Sequence, residues 1–257
     1  MRVLNRAFGH LMESEERAAD PLAGGIMHGY QCGMLWGATL AAGTQAYRLF
    51  GMGLQAENAA VIAAQRVVES FCAQNKNVNC REITGIDIAS ATPWKAVRFL
   101  IKSAPTGSCF GMAARCAKTA FSEINTAFSA GTCSGKHIES LPAPTSCAAM
   151  LAQKMGASDM HTIMAAGFAG GIGLSGGACG ALGAAIWLIG MDLLRKGNKF
   201  AFQAPHAVDV IGKFTKCTNY EFECSKIVRR KFKSMQDHTR YLRDGGCAEI
   251  LGALATA

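Results

Sequence analysis

No CxxC, CxxCH or paired CxxC motif occurs in this chain, although it holds 11 cysteines. Their absence argues against a zinc ribbon, a thioredoxin-type dithiol, a covalent c-type haem and a bacterial-ferredoxin run. Prolines are few, at 6, and the hydrophobic half of the composition is carried by Ala, Gly, Met and Leu rather than by Val, Ile and Tyr. That balance favours helices over strands and predicts an all-α protein. The N-terminal residues show no apolar signal region before Glu13, Glu15 and Glu16, so the expected compartment is a reducing cytoplasm. There, so many cysteines point to ligands, redox thiols or buried small residues rather than to a disulfide scaffold. At 257 residues the chain can bury a real core without cross-links.

Formal charge is +8, and residues 192–244 hold 12 Lys and Arg against 6 Asp and Glu, which supplies +6 of it. Arg229-Arg230-Lys231-Phe232-Lys233 is the densest point. A solvated helix face explains most such runs, and an acidic protein partner is the functional alternative. No zinc finger, recognition helix or aromatic-basic platform accompanies it, so nucleic acid is not an expected partner.

An internal repeat is legible. Ala23-Gly24-Gly25-Ile26 through Gln31-Cys32-Gly33 aligns, with one deletion, on Ala169-Gly170-Gly171-Ile172 through Ala178-Cys179-Gly180. Downstream, Cys80-Arg81-Glu82-Ile83 answers Cys224-Ser225-Lys226-Ile227, and Cys109 answers Cys247. The second copy alone has an upstream cysteine, Cys147. These spacings predict two similar helical-bundle modules packed together, residues 1–134 with three cysteines of the set and 135–257 with four. The connector is expected at Ser129 to Pro144, around the unmatched Cys133. Helices are expected near 2–18, 30–49, 55–75, 93–103, 109–129, 145–156, 159–170, 178–196, 205–217, 222–233 and 246–255.

Residues 162–191 carry no formal charge and would reach across a bilayer as one helix. Nine of these thirty residues are glycine, which predicts a break between two shorter buried helices. With a mean hydropathy of only +0.16, membrane insertion is not the favoured reading. The Gly29, Gly33, Gly37 ladder suits close helix packing in either setting.

The second copy's cysteines fall on separate elements, as a metal or cluster site requires. Three of them lead helices, where the helix dipole is expected to lower the thiol pKa. Cys72, Cys116, Cys133 and Cys217, which the repeat leaves unpaired, read as packing residues. His28, four residues before Cys32, would share its face if that turn were helical. The simpler reading is a hydrogen-bonded histidine beside a glycine bend. The glycine run 170–177 lacks the Lys-Ser/Thr of a phosphate-binding loop.

On Cys147-Ala148-Ala149-Met150-Leu151, Gly167 to Gly173, Cys179-Gly180-Ala181, Cys224 and Cys247, the second copy resembles the small redox-active family named for four cysteines and a CGAxxG motif. Residues 144–252 carry the resemblance and 21–116 a weaker copy of it. On that reading the motif glycine falls on Ala184, with Gly183 one place early. In the first copy Gly37 is in place and Met34 replaces the alanine. The resemblance implies redox activity through an iron–sulfur cluster held by Cys147, Cys179, Cys224 and Cys247, with Cys32, Cys80 and Cys109 as the first module's partial or second site. An electron-transfer protein with an acidic redox partner is the leading expectation. A metal-free thiol–disulfide protein and a glycine-rich membrane or assembly component are the alternatives. No catalytic residue is assigned, and whether the chain is an enzyme or a homo-oligomer stays open.

Overall fold

The structure is a computed structural model that describes residues 1–86, 109–129, 144–198 and 205–256. Among these residues the fold is all-α, with no strand and two isolated antiparallel bridges. The helices are α1 (Arg2–Ala7), α2 (Glu13–Ala18), α3 (Gly33–Phe50), α4 (Leu54–Asn75), α5 (Cys80–Thr84), α6 (Cys109–Ser129), α7 (Cys147–Lys154), α8 (Asp159–Ala166), α9 (Gly180–Arg195), α10 (Pro205–Thr218), α11 (Cys224–Ile227), α12 (Met235–Arg243) and α13 (Ala248–Ala255).

Several expected helices differ, among them 159–170, which stops at Ala166 where the glycine bend begins. The run 2–18 is broken by a left-handed Gly9 (φ +76) into α1 and α2. The run 222–233 stops at Ile227, because Arg229 adopts φ +57 and Ser234 begins a new helix by accepting the Asp237 N–H at 3.2 Å. The basic residues from Arg229 to Lys233 therefore form a turn between α11 and α12 rather than a helix face. The expected helix at 93–103, the connector with Cys133 and the boundary at 134/135 lie outside the described residues.

The two modules repeat one plan and interlock. Repeat register pairs α1 with α7, α2 with α8, α3 with α9, and α5 with α11. Each cysteine-led helix packs on the other module's preceding helix: α3 lies on α8, and α9 on α2. Gly43 of α3 makes this approach, since a Cβ there would stand 2.5 Å from Met164 Cα. Gly190, its repeat partner on α9, meets Ala18, the repeat partner of Met164. One core of Leu35, Trp36 and Leu40 with Phe168, Leu182, Ile186 and Trp187 runs through both modules. Because α9 sits in its centre, the helix is apolar nearly all round. Its uncharged run is divided from α8 by the glycine bend, and among the described residues no helix is long and apolar enough to cross a membrane.

Candidate functional site

Each module clamps two cysteines with the same pair of backbone bonds. In the second, Cys179 N–H donates to Phe222 C=O at 2.8 Å and Cys224 N–H to Gly177 C=O at 2.6 Å, around the Ala178/Glu223 bridge. In the first, Cys32 N–H donates to Val78 C=O at 2.8 Å and Cys80 N–H to Tyr30 C=O at 2.6 Å, around the Gln31/Asn79 bridge. The glycine after each first cysteine is compulsory. At Gly180 a Cβ would collide with the Phe168 carbonyl, and at Gly33 it would stand 2.8 Å from Ala23 Cα.

Cys147 opens α7 behind an N-cap, Ser146, whose hydroxyl accepts the Ala149 N–H at 3.3 Å. Glu57, wholly buried on α4 of the other module, holds this start. Its carboxylate accepts the Thr145 N–H at 3.0 Å, the Thr145 hydroxyl at 3.1 Å and the Ser146 N–H at 3.1 Å. Cys247 precedes α13 in the left-handed region, φ +60, a conformation that costs a non-glycine residue of order 1 kcal/mol and gathers at functional sites. The Tyr241 hydroxyl lies near enough to favour its thiolate.

The four thiols of the second module lie within electrostatic reach of one another. Burial pushes Cys147 and Cys224 well above the ordinary thiol range, and each is raised further by Cys179 and Cys247, Cys224 also by Cys147. Burial pushes Cys179 up to about 12, against the Leu182 and Ala181 N–H groups at the start of α9, which favour its thiolate. Burial likewise raises Cys247. The lowered thiol pKa expected from helix N-termini is thus reversed, since removing an anion from water outweighs a partial dipole charge and one or two N–H bonds. The Gly170 and Ala148 N–H groups serve Cys147 in the same way.

In the first module, burial pushes Cys32 up to about 12, with Cys80, Cys109 and Cys116 adding to the shift. Cys80 is raised by burial and by Cys109. Cys116 is buried in the hydrophobic core, in keeping with its sequence reading as a packing residue. His28 does not join the thiols. Its turn is a wide helical one with Ile26 and Met27 left-handed, its Nδ1 lies 3.1 Å from Ile26 C=O, and its ring stacks on Phe222.

As a donor set, four sulfurs from four elements with N–H groups directed at two of them suit a thiophilic metal or an iron–sulfur cluster. Among the described residues, however, no group of three or more His, Cys, Asp or Glu is arranged to hold a metal ion. The thiols are gathered without forming a finished coordination sphere. Tyr241, Glu57 and the N–H of Gly170 are members of these surroundings that repeat spacing did not show.

The basic turn adjoins Cys224. Lys226 pairs with Glu223 at 2.8 Å, and Arg230 pairs with Asp237 at 3.0 Å while lying over the Phe232 ring. Arg229 and Lys231 are exposed beside them.

The family model for putative redox-active proteins, C_GCAxxG_C_C, matches residues 1–123 and again 144–257. No curated protein and no solved structure matches the chain. In this motif the glycine stands four residues after the cysteine, so it falls on Gly183 and not on Ala184. The first copy has Trp36 at that place, and the Trp36 ring fills the space beside Gly183, where a Cβ would collide with it.

Proposed function

We propose, from the premise that this chain belongs to the C_GCAxxG_C_C family of redox-active proteins, that it transfers electrons through an iron–sulfur cluster held by Cys147, Cys179, Cys224 and Cys247. The observation that carries this reading is the gathering of these four thiols from α7, α9, α11 and the start of α13 into mutual electrostatic reach. A cluster bound there would supply a one-electron couple at the potential its surroundings set.

The protein's own part is preparation. Burial keeps the thiols protonated when nothing is bound, and metal charge offsets the cost of burying thiolates, so loading releases protons. N–H groups of Gly170, Ala148, Ala181 and Leu182 would then hydrogen-bond sulfur and stabilise its negative charge. The buried surroundings of Cys147 and Cys179 exclude water. The turn with Arg229 and Lys231 next to Cys224 would dock an acidic redox protein close to the site.

The metal-free dithiol alternative is weaker. Thiol–disulfide exchange needs an accessible thiolate, and burial suppresses it at Cys147, Cys179 and Cys224.

Visible and electron paramagnetic resonance spectra of anaerobically reconstituted protein test the proposal. Sulfur-to-iron charge-transfer bands should appear and should lose the second module's share in Cys179→Ala. Spectra without such bands in the wild type, or unchanged by the substitution, would overturn it.

A further inference from the structure

The family motif puts a glycine directly before its second cysteine and another four residues after it. The first module has Gln31 and Trp36 at those places, and the Trp36 indole N–H donates to Gln31 C=O at 3.1 Å. Both side chains are wholly buried, and both leave their own module for the second. We infer that Gln31, braced by Trp36, is a positioning residue through which the first module holds the second module's cysteines in place. The chemistry those cysteines perform rests on the reading proposed above; their positioning does not.

The amide of Gln31 lies in the glycine bend before Cys179. Its Nε2 donates to Gly171 C=O at 2.9 Å and to the Ser175 hydroxyl at 3.1 Å, and a Cβ at Gly177 would collide with it. Those contacts bracket the groups that serve the thiols. Gly170, next to Gly171, has the N–H that favours the Cys147 thiolate. At the other end of the bend, Gly177 C=O accepts the Cys224 N–H at 2.6 Å and Gly176 C=O accepts the Ser225 N–H at 3.0 Å. The Trp36 ring lies against Gly183 in the first turn of α9, which Cys179 leads, and edge-on to Phe168, whose carbonyl abuts Gly180.

The bend needs an outside hold. All five residues from Gly170 to Leu174 are left-handed, with φ between +56 and +81. Ile172 and Leu174 carry side chains in that region, and a β-branched residue there is a strained exception that persists only where its surroundings over-determine it. In the first module Gly25 C=O, the counterpart of Gly171, accepts the Tyr30 N–H of its own loop at 3.2 Å. Gly171 C=O takes Gln31 Nε2 from the other module, with the Ser175 hydroxyl beside it. The hold runs one way. Ala178 and Gly183 stand where Gln31 and Trp36 do, and neither has a side chain that could reach back.

Gln31 Oε1 is buried and has no hydrogen-bond partner among the described residues. An apolar side chain of the same length would fill this space without the cost of an unpaired acceptor. What the amide adds is the Nε2 donor.

Alkylation of individual cysteines in the metal-free full chain, read by peptide mass spectrometry, tests the inference without recourse to iron. Gln31→Met keeps the length of the side chain and removes the donor. It should raise the labelling rates of Cys147 and Cys224 about tenfold, the change in a local opening equilibrium that one buried hydrogen bond sets, and leave Cys80 and Cys116 unchanged. Ser175→Ala, which removes a single oxygen from a half-buried residue, should raise the same two thiols. A rise shared by all four, as general destabilisation would give, or no rise in either variant, would overturn the positioning role. The expected pattern in a protein that binds no iron would support the positioning while overturning the proposed cluster.

Discussion

His238 is 1% exposed on α12, packed edge-on against the Phe232 ring at 4.7 Å between centroids. Burial pushes it down to about 4, so the folded protein keeps the ring neutral where an unfolded chain would protonate it near 6.5. A depressed pKa contributes stability that is complete above the unfolded value and is lost as pH falls through the folded one. Stability should therefore decline between about pH 6.5 and 4, by roughly 2 to 3 kcal/mol from this group. Urea melts across this range should show a shallower decline in His238→Phe. Glu57 acts at the same scale. Its carboxylate is the partner of the Thr145 and Ser146 N–H groups and the Thr145 hydroxyl, and it reaches across the module interface. Glu57→Ala leaves these donors buried and unpaired, and should cost about 2 to 4 kcal/mol in chemical denaturation. A loss under 0.5 kcal/mol, on the order of a neutral surface change, would deny the latch its role.

At the scale of elements, glycines of one residue type do opposite work. Gly180 opens α9 with the Phe168 carbonyl where a Cβ would go, whereas Gly212 lies inside α10 with open space around it. Gly212→Ala should stabilise the protein by about 0.5 to 1 kcal/mol through helix propensity. Gly180→Ala should destabilise it by about 1 to 3 kcal/mol as the backbone gives way. Thermal melts of both variants decide the signs. The long helices α3, α4, α6 and α9 were legible in sequence because long proline-free stretches rich in Ala, Leu and Met run between breakers, single glycines such as Gly43 and Gly190 notwithstanding, and α6 matches its expected span, 109–129. The basic run after Cys224 was not, because its charge pattern imitates a solvated helix. The stop lay in Ser234-Met235-Gln236-Asp237, a capping signature that begins α12 and also draws the Lys233 N–H onto Asp237 at 3.0 Å. Repeat register singled out Cys179, Cys224 and Cys247, and the family resemblance added Cys147, which has no counterpart in the first copy. The thiol pKa direction was misread because a helix start is visible in sequence and its burial is not.

Across the whole molecule, the interlock of α3 on α8 and α9 on α2 makes the two cysteine sets parts of one body rather than beads on a chain. Eight buried or half-buried thiols, Cys32, Cys80, Cys109, Cys116, Cys147, Cys179, Cys224 and Cys247, are raised above the ordinary thiol value, with burial as the first cause in each. A raised folded pKa contributes stability that is complete below the unfolded value and is lost as pH rises through the folded one. Metal-free protein should accordingly lose stability from about pH 9 upward. Reconstituted protein, whose thiols have already given up their protons, should lose much less over the same range. Melting temperatures of the two forms between pH 8 and pH 11 measure the difference.

The central claim is that the second module's four thiols hold an iron–sulfur cluster, and the most direct measurement is iron and acid-labile sulfide per chain in protein purified without oxygen. The account predicts brown protein with iron and sulfide in near-equal amounts, and loss of the second module's share in Cys147→Ser and Cys224→Ser alike. Colourless protein, free of iron and sulfide and with all its thiols titratable after denaturation, would contradict it.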